Sequence, residues 1–260
     1  MPKITVVIPV LDEEELLADT LRSIRVQTYK DYELIVVDNG STDRSPEIAK
    51  ATADRFIVEK ERGPHFAIHR GILEAQGEFV ASCDADTLYP KRWLERMVNG
   101  FRREGVVAVY GPMAFRESGA FFRGLSVVGF SLIVLLSRLF GVRFCGSANL
   151  GVRKEAYFAA GGYSLESPLA SQDVRLVKRL ASLGKEVRFL PTLVCYTSNR
   201  RYKRLGFWVT FREYFRLWFD TASRKDRMTY DHYFERAHRL RKQPHISEEK
   251  KRTNDTLQKH

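Results

Sequence analysis

Glu78-Phe79-Val80-Ala81-Ser82-Cys83-Asp84-Ala85-Asp86 is an apolar run that ends in two carboxylates with DxD spacing. A buried strand with this ending puts hard oxygen donors at the carboxyl edge of a sheet, where open α/β sheets bind their ligands. Such donors suit a divalent cation that holds a diphosphate. By itself the tripeptide also fits a solvated strand end, because Asp is common in turns. The surrounding chain decides between the two.

Upstream, Ile4-Thr5-Val6-Val7-Ile8-Pro9-Val10 is apolar and β-branched, the pattern of a second buried strand. Asp12-Glu13-Glu14-Glu15 then reads as a helix start, with acids at the positive end of the dipole. A third run, Glu33-Leu34-Ile35-Val36-Val37, leads into Asp38-Asn39-Gly40-Ser41-Thr42-Asp43, a turn combined with a helix cap. Strand and helix alternate, which predicts an α/β fold with a mostly parallel sheet flanked by helices. Right-handed crossovers gather Pro9, Asp38 and Asp84 along one edge.

Several motifs in this order resemble those of family 2 inverting glycosyltransferases of the GT-A fold. They are Pro9-Val10-Leu11-Asp12-Glu13, Val37 to Asp43, Gly71-Ile72-Leu73-Glu74-Ala75-Gln76-Gly77-Glu78 and Asp84-Ala85-Asp86. Gly146-Ser147-Ala148-Asn149-Leu150-Gly151, Gly161-Gly162-Tyr163 and Gln172-Asp173-Val174-Arg175-Leu176 continue the match, which runs over roughly residues 3 to 200. The resemblance implies a Rossmann-like, mixed but mostly parallel sheet. It also implies nucleotide binding by Pro9, Leu11, Glu13, Asp38, Asp84 and Ala85, with Asp86 coordinating Mn²⁺ or Mg²⁺. Leu11 and Asp12 stand where the family more often carries an aromatic residue and Asn.

Each assignment has its physical counterpart. Asp38 is chemically suited to accept an N–H from a nucleobase, and equally suited to cap a helix. A one-step displacement onto a hydroxyl acceptor needs a carboxylate opposite the leaving group, and by resemblance Asp173 is that base. It also lies where a carboxylate satisfies a helix dipole, ahead of Val174, Leu176, Val177 and Leu180. Asn149, Gln172, Arg200 and Arg201 are the weaker candidates for contact with diphosphate or acceptor; arginine forks match phosphate oxygens well. His65 and His69 lie four apart, but no third ligand completes a zinc site. Val152-Arg153 follows the glycines at 146 and 151 where a phosphate loop needs Lys and Ser/Thr, which argues against a nucleoside triphosphatase.

The 260 residues carry 43 Lys+Arg against 32 Asp+Glu, a net charge of +11. Tyr196 to Lys242 holds 13 Lys/Arg against 5 Asp/Glu, interleaved with Tyr202, Phe207, Trp208, Phe211, Tyr214, Phe215, Trp218 and Phe219. Aromatic and basic residues together are what an interfacial helix presents to anionic lipid. Nucleic acid is the alternative partner, but no nucleic-acid-binding motif accompanies the patch. Leu125 to Ser137 is the longest uncharged apolar stretch, 13 residues between Arg123 and Arg138, too short to span a bilayer that needs about 20. It reads as a buried or interfacial helix. Three cysteines give no disulfide framework, and no leader precedes the first strand, so a reducing cytoplasmic setting is expected.

The expected organisation is a catalytic domain over 1–200, with a nucleotide half near 2–86 and an acceptor half over 87–195. A basic amphipathic helical extension follows over 201–242, then a polar, unstructured tail over 243–260. The expected activity is metal-dependent, inverting transfer of a sugar from a UDP- or GDP-sugar to an acceptor such as a polyprenyl phosphate or lipid-linked glycan. The place is the inner face of the cell membrane, with peripheral attachment. A sugar-nucleotide nucleotidyltransferase and a non-catalytic membrane-peripheral protein are the alternatives.

Overall fold

The computed structural model describes residues 2–139, 143, 145–164 and 172–200, together with Lys203, Gly206 and Arg212. Apart from those last three residues, the expected extension over 201–242 and tail over 243–260 lie outside the described residues.

Strands β1 (Ile4–Val10), β2 (Tyr32–Asp38), β3 (Arg55–Val58) and β4 (Phe79–Ser82) run parallel in the order β3-β2-β1-β4. Helices α1 (Leu17–Arg25), α2 (Ser45–Thr52) and α3 (Pro64–Glu74) connect them. The same sheet continues from β4 through β7 (Leu150–Arg153), β5 (Val106–Tyr110) and β8 (Glu186–Phe189). β7 is antiparallel to both its neighbours, whereas β5 and β8 are parallel to each other. A separate two-stranded sheet pairs β6 (Met113–Phe115) with β9 (Cys195–Thr197). Helices α4 (Trp93–Gly100), α5 (Ala120–Leu139), α6 (Lys154–Ala159) and α7 (Gln172–Ser182) complete the chain order.

The β1 run is apolar on both sides because both faces of the sheet are covered. Val7, Ile35 and Val37 enter one core with Ile72, Tyr157 and Leu180; Val6, Ile8, Leu34 and Val36 enter another with Leu21, Trp93 and Leu94. Burying each such aliphatic side chain contributes about 1.5–3 kcal/mol. α3 lies directly on β1, since a Cβ on Gly71 would fall 2.3 Å from Val7 Cγ1.

Two expectations need correction. α1 starts at Leu17, not at the acids 12–15, because those acids hold a loop together instead. The apolar helix is also longer than the 13-residue run: α5 extends over 20 residues, long and apolar enough by length and composition to cross a membrane. Its bracketing arginines do not stop it because they fold onto the protein. Arg123 donates to the Arg116 carbonyl and stacks over Tyr196, and Arg138 donates to Tyr110 Oη at 3.4 Å.

Candidate active site

The DxD turn is pinned from both sides. Cys83 N–H donates to Val7 O at 3.0 Å, which extends the parallel pairing past β4. Asp84 N–H donates to the buried Tyr89 Oη at 3.0 Å, and that hydroxyl donates to Ala148 O at 2.9 Å. Between the two acids, buried Ala85 turns its carbonyl to Thr20 Oγ1 at 2.8 Å. Backbone held in this way fixes where the carboxylates project.

Ser147 joins the two ends of the site. Its hydroxyl donates to Asp84 Oδ1 at 3.3 Å, while its backbone hydrogen-bonds to Asp173. Asp173 sits in the first turn of α7 and is partly accessible, yet enclosed enough that burial raises its carboxyl to about 6. Backbone groups of Val174, Asp173 and Ser147 oppose that rise without cancelling it.

Asp86 faces a different cluster. Oδ1 accepts from Thr87 Oγ1 at 3.3 Å and from Thr197 Oγ1 at 3.5 Å. Oδ2 accepts from Arg200 Nη2 at 3.1 Å, and the same nitrogen donates to both Glu13 oxygens at 2.7 and 2.6 Å. Burial pushes the Glu13 carboxyl up, and Arg200 recovers only part of that shift. Arg200 reaches this position from the end of β9, where Glu117 accepts from Ser198 Oγ and from Asn199 N–H. Tyr89, Ser147 and Glu117 escaped the sequence reading. Only Ser147 had a signal, as part of the Gly146–Gly151 motif.

Along the neighbouring strand ends, Val10 pairs with Asp38 and Pro9 with Val37, while Leu11 is half-exposed just beyond β1. The Asp38 carboxylate accepts from Gly40 and Ser41 N–H groups at 3.2 and 3.3 Å, capping the turn. Asp12 is left-handed, with φ 53°, and accepts from Thr42 N–H at 2.7 Å. Glu14 N–H donates to Asp43 at 2.9 Å. These bonds hold the β1 and β2 exits together as one rim.

Two weaker candidates are engaged in hydrogen bonds inside the protein. Buried Asn149 accepts from Trp93 Nε1 at 2.8 Å and donates to Pro112 O and Leu193 O at 3.0 and 2.6 Å, so its amide is used up inside the core. Gln172 is buried too and clamps Ser164, accepting from its N–H at 3.0 Å and donating to its carbonyl at 3.2 Å. Both amides follow the rule that buried polar groups are hydrogen-bonded within the protein. Arg201 lies outside the described residues. His69 meets Tyr157 Oη at 2.8 Å, so that hydroxyl, not a second imidazole, is its partner.

Among the described residues no cluster of three His, Cys, Asp or Glu side chains forms a closed metal cage. The donor set nonetheless fits Mg²⁺ or Mn²⁺, which take one or two carboxylates and fill their remaining positions from water and substrate phosphates. Asp86 already holds a cationic group at Oδ2, so its setting accepts positive charge.

An α/β sheet with one antiparallel strand beside a DxD-bearing parallel edge defines a GT-A fold. Solved structures agree. A mannosyltransferase from Pyrobaculum calidifontis, in complex with GDP-Man and Mn²⁺, superposes with TM-score 0.64 at 22% identity, over 83% of this chain and 64% of that one. TarS from S. aureus, in complex with UDP-GlcNAc, gives 0.59 at 18% identity, over 88% and 69%. The sequence profile of Glycosyl transferase family 2 matches residues 5–158, and the chain belongs to that family. It is a glycosyltransferase. Glycosyltransferase AglE from Haloferax volcanii is 26% identical over 76% of this chain and 68% of its own length. The undecaprenyl-phosphate 4-deoxy-4-formamido-L-arabinose transferase of Proteus mirabilis is 37% identical over 37% of this chain. The match spans only 32% of that relative.

The raised carboxyl of Asp173 has a consequence for stability. Folded protein holds this proton more tightly than unfolded protein, so the contribution is complete below about pH 4 and is lost as pH rises through about 6. Asp173→Asn is therefore expected to stabilise the fold at pH 7.5 by roughly 2 kcal/mol, with the gain shrinking at pH 4.5. Urea denaturation at the two pH values measures it; equal effects at both would refute the burial of this charge.

Proposed function

We propose that the chain transfers a sugar, with inversion, from a nucleoside diphosphate donor to a lipid-linked acceptor at the inner membrane face, with a divalent cation bound at Asp86. The observation that carries this reading is Ser147, which touches both Asp84 and Asp173 and so brings a DxD carboxylate and the first-turn carboxylate of α7 to one short loop.

The roles follow from position and charge. The joined exits of β1 and β2 receive the nucleoside, with Pro9 and Leu11 as an apolar wall and Asp38 as acceptor for a base N–H or ribose hydroxyl. Asp86, with Asp84 nearby, would hold Mn²⁺ or Mg²⁺, which as a Lewis acid would stabilise charge on the departing diphosphate. Glu13, held by Arg200, lies beside Asp86 on the same side. Asp173 takes the proton from an acceptor hydroxyl as its oxygen attacks the anomeric carbon, on the face opposite the bond to the diphosphate. A carboxyl near 6 is deprotonated enough at neutral pH, and still basic enough, to do this. The GDP-Man, UDP-GlcNAc and Mn²⁺ complexes of the structural neighbours support the donor and metal assignments.

Support for a lipid acceptor comes from the undecaprenyl-phosphate relative and from α5. Phe121, Phe122, Leu125, Val128, Leu132, Leu136 and Leu139 are exposed along its outer side, while Phe130 and Val134 dock on the core. The helix therefore lies against the domain with an apolar stripe outward, the arrangement of an in-plane membrane helix. Ser126 and Ser131 donate to the carbonyls of Phe122 and Val127 at 2.8 and 2.7 Å, so their hydroxyls need no water.

Thermal stabilisation by UDP, GDP and their sugars, with and without Mn²⁺, tests the donor site first. One nucleotide should stabilise the protein by about 2.7 kcal/mol at hundredfold excess over Kd, and Asp86→Ala should abolish the metal-dependent part. No shift with any nucleotide would remove the proposal. For the base, kcat/KM should fall below about pH 6, and Asp173→Asn should lose at least ~10²-fold. A flat profile, with activity retained in the variant, would instead assign Asp173 to orienting an already ionised phosphate acceptor. For α5, the protein should float with anionic liposomes, and Leu132→Asp with Leu136→Asp should leave it in the soluble fraction. Equal flotation of both proteins would overturn the helix's role.

A further inference from the structure

Arg200 sits where two assignments collide. Its guanidinium neutralises Glu13 and Asp86 together, yet Asp86 is the carboxylate proposed to hold the divalent cation. Both side chains are largely enclosed, at 20% and 22% exposure, so neither carboxylate is comfortable without a counter-charge. Arginine remains cationic at any working pH and fills that need permanently. A cation arriving at Asp86 Oδ2 must therefore compete with a resident one.

We propose that Arg200 is the site's exchangeable counter-cation. In the donor-free protein it bridges Glu13 and Asp86; when metal and diphosphate bind together it yields Asp86 Oδ2 to the metal and turns its freed donors to the phosphate oxygens. The inference rests on the donor site proposed above and adds a regulation to it. Metal alone gains a carboxylate but displaces a guanidinium that then has only Glu13 to face. Metal with a nucleoside diphosphate brings new anionic oxygens, to which a planar guanidinium is well matched. The displaced charge is thus satisfied only when both ligands are present, and each ligand favours the other by the same factor.

Three features of the structure fit an exchange. Arg200 enters from the end of β9 in the small sheet, apart from the β1 and β4 exits that carry its two partners. Its own chain segment is tethered independently, through Glu117 to Ser198 and Asn199, so release of the side chain does not release the backbone. The contact to Asp86 is the longer of its two, 3.1 Å against 2.6 Å to Glu13, so Asp86 is the partner more easily given up.

Mn²⁺ binding to the full chain, followed by the electron paramagnetic resonance of free Mn²⁺, tests the proposal without any turnover. Wild type should bind Mn²⁺ alone weakly and at least ~10-fold more tightly when UDP or GDP is present, within the usual 5- to 150-fold range of coupling. Arg200→Ala should bind Mn²⁺ alone about 10-fold more tightly than wild type, while the coupling to the nucleotide shrinks but stays above unity, because the phosphate oxygens still ligate the metal. Arg200→Lys, which keeps the charge, should remain near wild type for Mn²⁺ alone. Asp86→Asn combined with Arg200→Ala should show none of the gain, which places it at Asp86. An unchanged or weaker affinity of Arg200→Ala for Mn²⁺ alone, in protein whose urea midpoint matches wild type, would overturn the proposal. Failure of the donor reading looks different: no nucleotide would bind wild type, yet the metal-only comparison would still report whether Arg200 competes at Asp86.

Discussion

Val10 lies opposite Asp38 across β1 and β2, and Val7 lies opposite Ser82 across β1 and β4, with Cys83 N–H bonding onward to Val7 O. Parallel pairing in this register ends β1 and β2 side by side at Val10 and Asp38, with β4 ending earlier, opposite Val7. Asp38 is the last residue of β2, and Glu13, Asp84 and Asp86 lie a few residues beyond the ends of β1 and β4. A one-residue slip would exchange side chains between the two cores, spoil the packing of both and move the acids out of line, so the two apolar layers of the domain enforce the geometry of the site.

The antiparallel strand β7 adds what the parallel edge lacks. Because it runs opposite to β4, its preceding turn, Gly146–Asn149, arrives at the carboxyl end of β4 and not at the far side of the sheet. Asn149 locks that arrival from within, bonding Trp93, Pro112 and Leu193, while Tyr89 bridges Asp84 N–H to Ala148 O. Ser147 is left at the crest between Asp84 and Asp173. A strand of the second half of the chain thus delivers the loop that joins both ends of the site.

Charge balance is the other organising theme. The edge collects carboxylates more densely than a partly buried surface tolerates, and the fold offsets them in different ways: backbone N–H groups at Asp38, hydroxyls and a guanidinium at Asp86, and a raised proton affinity at Asp173. Away from the edge, α5 shows the converse. Its arginines fold inward and Ser126 and Ser131 bond to their own helix, so its outer side shows large aliphatic and aromatic side chains.

The sequence by itself determined the alternation of strands and helices, the parallel edge and the acids that end its strands, because continuous apolar, β-branched runs and strand-end acids are local signals that need no partner to be read. The DxD pair and Asp38 were legible for that reason, whereas the α7 carboxylate was singled out by resemblance to a family motif. Only the tertiary structure decided the rest. Asn149 and Gln172 look like ligand-contacting amides in a linear motif, yet their partners at 112, 193 and 164 are brought close only by folding. The pairing of Glu13 with Arg200 spans 187 residues, and α5 outgrows its apolar run because Tyr110 and Tyr196 supply places for its arginines. Contacts between distant segments have no local periodicity, so their chemistry became visible only when the chain had closed on itself.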